Sequence, residues 1–305
     1  MDALAALRLT VGTAFLLVAA GSDLRTRKVR DALWIVLGTI GLLLASAEIL
    51  LSGFALERLG LVGASAFLFY AIFFGKPLVE EDGIRLRPAR LALFLAAALL
   101  TIGVGVVSWT AGGAAANASA ELVSMPVMVL VYQGFYYVGL LHGGADAKAL
   151  IAITLLVPLY PAVTTWISTS ARVSELSRRF FPFSLVVFVD AAILFLLVPV
   201  AYMVYNGIRG DLRLPQALFG YRANLDSLPK HVWLMEQIDE GGEHILVLFP
   251  KRGKDLPEEI ERLRAAGIRR PWVQPKMPFL APLAAGYVLA FLTGNLLLLL
   301  FPPLA

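Results

Sequence analysis

The chain has no cysteine and only three histidines, His142, His231 and His244. Without thiols there are no disulfides, no cysteine-ligated zinc and no cysteine nucleophile. The histidines fall at no metal-ligand interval, so neither a histidine metal centre nor a cofactor is expected. Charge is also scarce: 16% of the 305 residues are charged and 59% are hydrophobic, with a mean hydropathy of +0.77. A soluble domain is about 45–50% apolar and about 25% charged. This chain carries more apolar surface than one aqueous core can hide, and it reads as a multi-spanning membrane protein whose first partners are lipids. The net charge of +4 therefore does not call for nucleic acid; its distribution between loops matters more.

Runs of roughly 20 apolar residues mark transmembrane helices. Eight are expected, at 3–22, 32–51, 54–74, 91–108, 122–141, 147–168, 183–207 and 279–301. The sixth is interrupted by Pro158 and Pro161. Met1-Asp2 has no basic region ahead of the first apolar run, so a cleaved signal peptide is not expected. One set of alternate loops holds Arg25, Arg27, Lys28, Arg30, Lys76, Arg85, Arg87, Arg90, Lys148 and the basic residues of 208–278. The other side keeps only Arg8, Arg58, Arg172, Arg178 and Arg179. By the positive-inside rule the first set is cytoplasmic and both termini lie outside.

The expected fold is therefore an all-α polytopic membrane protein, with about eight transmembrane helices and a small cytoplasmic α/β domain before the last one. Residues 1–207 form the transmembrane catalytic bundle, 208–278 the cytoplasmic domain and 279–305 the final span. Within 208–278, His231–Met235 and His244–Phe249 read as strands around an acidic Gly-Gly turn. A helix begins at Leu256-Pro257-Glu258-Glu259, with proline near its start and acids in its first turn. Arg270–Val273 reads as a third strand. The segment 109–121 reads as a small outer loop, and Asn117-Ala118-Ser119 within it fits a glycosylation acceptor by pattern alone.

Acids at or inside membrane spans are costly and call for an explanation. Four stand out: Asp23, Glu48, Asp146 and Asp190. Taken singly, each has an ordinary reading. Asp23 is an interfacial residue or cap, Asp146 a helix cap, Glu48 a wetted outer-end residue, and Asp190 a bond to a neighbouring helix. Asp23 and Asp146, however, fall on the same side at similar depth. Two adjacent carboxylates share one proton, because both cannot easily ionise. The ionised member can then take a proton from water while the protonated one polarises a carbonyl, which is aspartic-protease chemistry without metal, thiol or nucleotide. Gly143 and Gly144 would give the second acid a tight turn and allow an extended substrate to come close. The acids Glu80, Glu81 and Asp82 on the same face are a solvated loop or an attraction for a basic peptide.

Three patches carry a resemblance: Ser22-Asp23-Leu24-Arg25-Thr26-Arg27 with Asp31 following, Gly143-Gly144-Ala145-Asp146-Ala147-Lys148-Ala149-Leu150, and Trp272-Val273-Gln274-Pro275-Lys276-Met277-Pro278-Phe279. Together they resemble the archaeal preflagellin and prepilin peptidases, membrane aspartic proteases of the GxGD type. The resemblance implies that Asp23 and Asp146 are catalytic and that Gly143, Gly144 and Ala145 form the motif backbone. It also implies a substrate, the N-terminal leader of a pilin-like or archaellin-like precursor, cut at the cytoplasmic membrane face. Ala145 stands where the motif has glycine. The paired CxxC element of the bacterial enzymes is absent, so their methyltransferase activity is not carried over. Two other readings remain open. An ion-coupled transporter would use Asp190. A presenilin-like intramembrane protease would carry tyrosine before its first aspartate and a Pro-Ala-Leu element, and neither is found here.

Overall fold

The computed structural model describes residues 3–51, 58–74, 79–80, 83–84, 87–111, 113–141, 143–161, 181–239, 241–250 and 256–301. It is mostly helical and divides into two compact units, 1–193 with 278–305, and 194–277.

In the first unit, long apolar runs become helices because every backbone polar group can then be satisfied within the segment. These helices are α1 (Ala3–Thr26), α2 (Asp31–Leu51), α3 (Leu59–Phe73), α4 (Pro88–Ala111), α5 (Gly113–Tyr137), α6 (Gly144–Leu156) and α7 (Phe183–Phe195). A two-stranded ribbon, β1 (Val79–Glu80) with β2 (Gly83–Ile84), lies between α3 and α4. After α7 the chain turns through Leu196 into α8 (Leu197–Ile208). Among the described residues, four helices are long and apolar enough to cross a membrane: α1, α2, α4 and the run 183–208 formed by α7 and α8.

Other expected spans look different. Described helix α3 has 15 residues and α6 has 13. Helix α6 stops at Leu156, two residues before Pro158, which cannot continue a helix; residues 162–168 of the expected sixth span lie outside the described set. The expected final span is instead two shorter helices, α10 (Leu280–Leu292) and α11 (Leu296–Leu300), with Gly294 left-handed at φ 77° between them. The expected outer loop at 109–121 is instead helical on both sides of residue 112, in keeping with its alanine content, since alanine is the strongest helix former. Ser119 of the Asn-Ala-Ser pattern is buried and accepts a hydrogen bond from Arg58 Nε at 3.1 Å.

Packing within this unit is tight where side chains are small, as is usual between helices in lipid. A methyl added at Gly41 of α2 would sit 2.5 Å from the Leu155 carbonyl carbon and the Leu156 nitrogen of α6. Buried hydroxyls also join helices: Tyr132 of α5 donates to Ser184 of α7 at 3.1 Å, and Ser184 and Thr154 of α6 are 2.9 Å apart. Thr154 also contacts the Leu150 carbonyl at 2.9 Å.

The second unit contains α8 and a small α/β layer. Strand β7 (Trp272–Pro275) is central, antiparallel to both β3 (Tyr221–Arg222) and β4 (Val232–Leu234). A separate hairpin pairs β5 (Glu236–Ile238) with β6 (His244–Leu246). The expected strand at 231–235 thus pairs with the 272–275 strand, not across the Gly-Gly turn. The hairpin at that turn begins after Met235, whose own amide donates to the Trp272 carbonyl. The amphipathic helix α9 (Leu256–Ala265) starts where expected and buries Leu263 with Val232, Leu234 and Val273. Buried Glu236 accepts from the Trp272 amide at 3.2 Å and lies 3.1 Å from His244 Nε2.

Candidate active site

Asp23 occupies the last turn of α1 and Asp146 the first turn of α6. The two carboxyl groups are within electrostatic range of each other. Two acids more than a hundred residues apart are therefore within electrostatic reach of each other, both partly exposed.

Local chemistry explains how α1 ends there. Ser22 Oγ donates to the Lys28 carbonyl at 2.8 Å, and Thr26 Oγ1 lies between the Ser22 and Lys28 carbonyls at 2.9 and 3.0 Å. Arg27 adopts a left-handed backbone at φ 56°, which costs a residue with a Cβ of the order of 1–2 kcal/mol. The bend leaves the Arg27 guanidinium within Coulombic range of Asp23. The site accordingly has a built-in asymmetry. Asp23 faces a cation as well as an acid, whereas Asp146 faces Asp23.

At α6 the glycines act differently from the sequence expectation. Gly143 precedes the helix with an extended backbone at φ −101°, ψ 120°, a conformation open to any residue, and accepts from the Asp146 amide at 3.1 Å. Its importance is space: an added methyl would collide with Asp146 Oδ2. Gly144 is already helical, and a methyl there would meet only the Tyr136 ring at ordinary distances of 3.6–3.9 Å. Ala145 packs against the apolar core. The missing side chain at position 143 leaves room for the Asp146 carboxylate, while the turn itself demands no glycine.

A contact not foreseen from sequence flanks the pair. Lys148 Nζ of α6 lies 2.6 Å from Asp31 Oδ1 in the first turn of α2, and 5.4 Å above the Phe73 ring. Both residues stood inside the quoted motifs, but nothing in their spacing signals that they meet. His142 lies outside the described residues, as do Glu81, Asp82 and the side chain of Glu80.

The other two acids are engaged elsewhere. Glu48, expected to be wetted, pairs with the buried guanidinium of Arg8 at 2.8 Å; the Arg8 carbonyl in turn accepts from Tyr287 at 2.7 Å. Asp190 is fully buried, and its Oδ1 accepts the Leu296 amide at 2.9 Å, the first residue after the break in the final span. Asn295 Oδ1 accepts from the Leu297 and Leu298 amides at 3.0 and 3.4 Å. Asp190 thus satisfies backbone that the helix break sets free. Among the described residues, no group of three or more His, Asp or Glu side chains is arranged to hold a metal ion.

Comparison with known proteins adds one match. Residues 212–296 fit the family model described as archaeal peptidase A24 C-terminus, type II, which supports the archaeal prepilin and preflagellin peptidase family for this chain. The matched stretch runs from the second unit through α10 to Leu296, the first residue of α11, and contains neither Asp23 nor Asp146. No curated protein matches the chain.

Proposed function

We propose, from the peptidase A24 match, that the chain is a membrane aspartic endopeptidase that removes the N-terminal leader of pilin-like or archaellin-like precursors. Asp23 and Asp146 are the proteolytic pair, and the site opens at the cytoplasmic membrane face. The observation that carries this reading is the family match over 212–296, and Asp23 and Asp146, within electrostatic range of each other, supply the candidate acid pair, since two such carboxyl groups can share one proton.

The cycle follows from the environment of each group. Asp23, beside the Arg27 cation, is the ionised member and takes a proton from the attacking water. Asp146 carries the shared proton and donates a hydrogen bond to the scissile carbonyl, favouring the tetrahedral intermediate. As the intermediate collapses, a proton passes to the leaving amine and the pair returns to its singly protonated state. Partial exposure at the end of α1 admits the hydrolytic water. The basic residues flanking Asp23 agree with a cytoplasmic location. Leader removal there would release the subunit for filament assembly.

The test is cleavage of a precursor with a leader and an apolar segment by the full chain in lipid vesicles. Asp23→Asn and Asp146→Asn should each lower the rate by at least about a thousandfold with insertion and melting unchanged. Retained cleavage in either variant rules out the pair.

A further inference from the structure

The ion pair Lys148–Asp31 stands beside the carboxyl pair but takes no part in the cycle above. Successive residues of an α-helix are turned by about 100°, so Asp146 and Lys148, two apart, point to nearly opposite sides of α6. Lys148 reaches Asp31 on α2 and the Phe73 ring on α3. Asp146 therefore points away from that contact, and Asp23 of α1 is within electrostatic range of it. At its far end α6 is already fixed to α2 by backbone contact at Gly41. The first turn of α6 is packed through Ala145 and Ala147, and among the described residues the Lys148–Asp31 pair adds a link by charge from this end of α6 to α2.

We propose that Lys148 and Asp31 are positioning residues, an electrostatic latch that sets the rotation of the first turn of α6 and so brings Asp146 to Asp23. The proposal rests on the assignment of these aspartates as the proteolytic pair. The side chains of Lys148 and Asp31 are 29% and 53% exposed, and ion pairs this open to water contribute little to stability. Geometry is a different matter: displacement of a reacting group by about 1 Å can cost up to about a hundredfold in rate. The latch therefore predicts variants that stay folded and turn over slowly.

In the full chain reconstituted in lipid, Lys148→Met and Asp31→Asn should each lower kcat about tenfold or more, with KM within about twofold and melting within a few degrees. Lys148→Arg, which keeps the charge, should recover most of the rate. A second readout needs no substrate. Because the chain lacks cysteine, Asp23→Cys with Asp146→Cys creates a unique thiol pair. Disulfide formation between them should slow about tenfold when Lys148→Met is added. Unchanged kcat in both single variants, an unchanged cross-linking rate, or no recovery with Lys148→Arg overturns the latch. So does a rise in KM alone, which would make Lys148 a substrate contact. Failure of the protease assignment looks different: Asp146→Asn would cleave at the parental rate while cross-linking still depended on Lys148.

Discussion

The close approach of α2 and α6 makes Gly41 a sensitive probe of the site. Gly41→Ala would place a methyl carbon 2.5 Å from the Leu155 carbonyl carbon and Leu156 nitrogen, and 2.7 Å from the Leu155 oxygen. Comfortable non-bonded separations are about 3.5–4.0 Å, so the two helices must part by about 1 Å. The obstacle is backbone on both sides and cannot rotate away. Overpacking of this kind costs roughly 1–3 kcal/mol. The same displacement loosens the Lys148–Asp31 contact and moves Asp146, so precursor cleavage should fall about tenfold or more. Thermal unfolding in detergent measures the first effect and single-turnover cleavage the second. Gly103→Ala on α4 is the control, because nothing lies within 4 Å of the added methyl. It should leave the rate unchanged and stability equal or up to about 1 kcal/mol higher. Gly41→Ala with parental stability and rate would refute the packing described here, and with it the route by which α2 supports the site.

Two further perturbations separate space and charge. Gly143→Ala should displace the Asp146 carboxylate and reduce cleavage by about tenfold or more with melting unchanged, whereas Gly144→Ala should retain at least about a third of the rate; equal effects in the cleavage assay would argue against the spatial role of Gly143. Glu48→Ala leaves the Arg8 guanidinium, 5% exposed, without its partner and should cost about 3 kcal/mol in reversible unfolding, while Arg8→Met combined with Glu48→Met should recover most of that loss; a double variant as unstable as Glu48→Ala would show that the charge pair is not the source.

Hydropathy made the long helices legible, because a span needs a long apolar run and α1, α2, α4 and the α7–α8 run have one. It could not locate the break in the final span. Thr293-Gly294-Asn295 interrupts an otherwise apolar run, and Asp190, over a hundred residues away, accepts the Leu296 amide after the break. It likewise missed the continuation of helix through 113–121, where the polar and small residues that suggest a loop have enough alanine to remain helical. In the second unit, His231–Met235 looked continuous because its residue types suit a strand throughout. The change of partner at Met235 is decided by β7, some forty residues later. The site shows the same division. Residue types and flanking sequence singled out Asp23, Asp146, Gly143, Gly144 and Ala145 as candidates, but that Lys148 meets Asp31 and that Arg27 lies within range of Asp23 are matters of helix rotation and a left-handed bend, which composition does not encode.

Three other acids of the helical unit, Asp31, Glu48 and Asp190, offer a contrast with the pair. Acids retained for structure are matched with donors, since an uncompensated carboxylate away from water is costly. Asp31 has Lys148, Glu48 has Arg8, and one oxygen of Asp190 has the Leu296 amide. Each of these contacts ties one helix to another and accounts for the acid without invoking chemistry. For Asp190 this favours a role in securing the broken span over a place on an ion pathway. Asp146 departs from the rule, because what it faces is a second carboxyl group. Packing alone would favour replacing one of the two by an amide, which removes the repulsion and keeps the hydrogen-bonding capacity. In the proposed protease the pair gains from its acidity because a proton moves through it, as hydrolysis of a peptide bond requires.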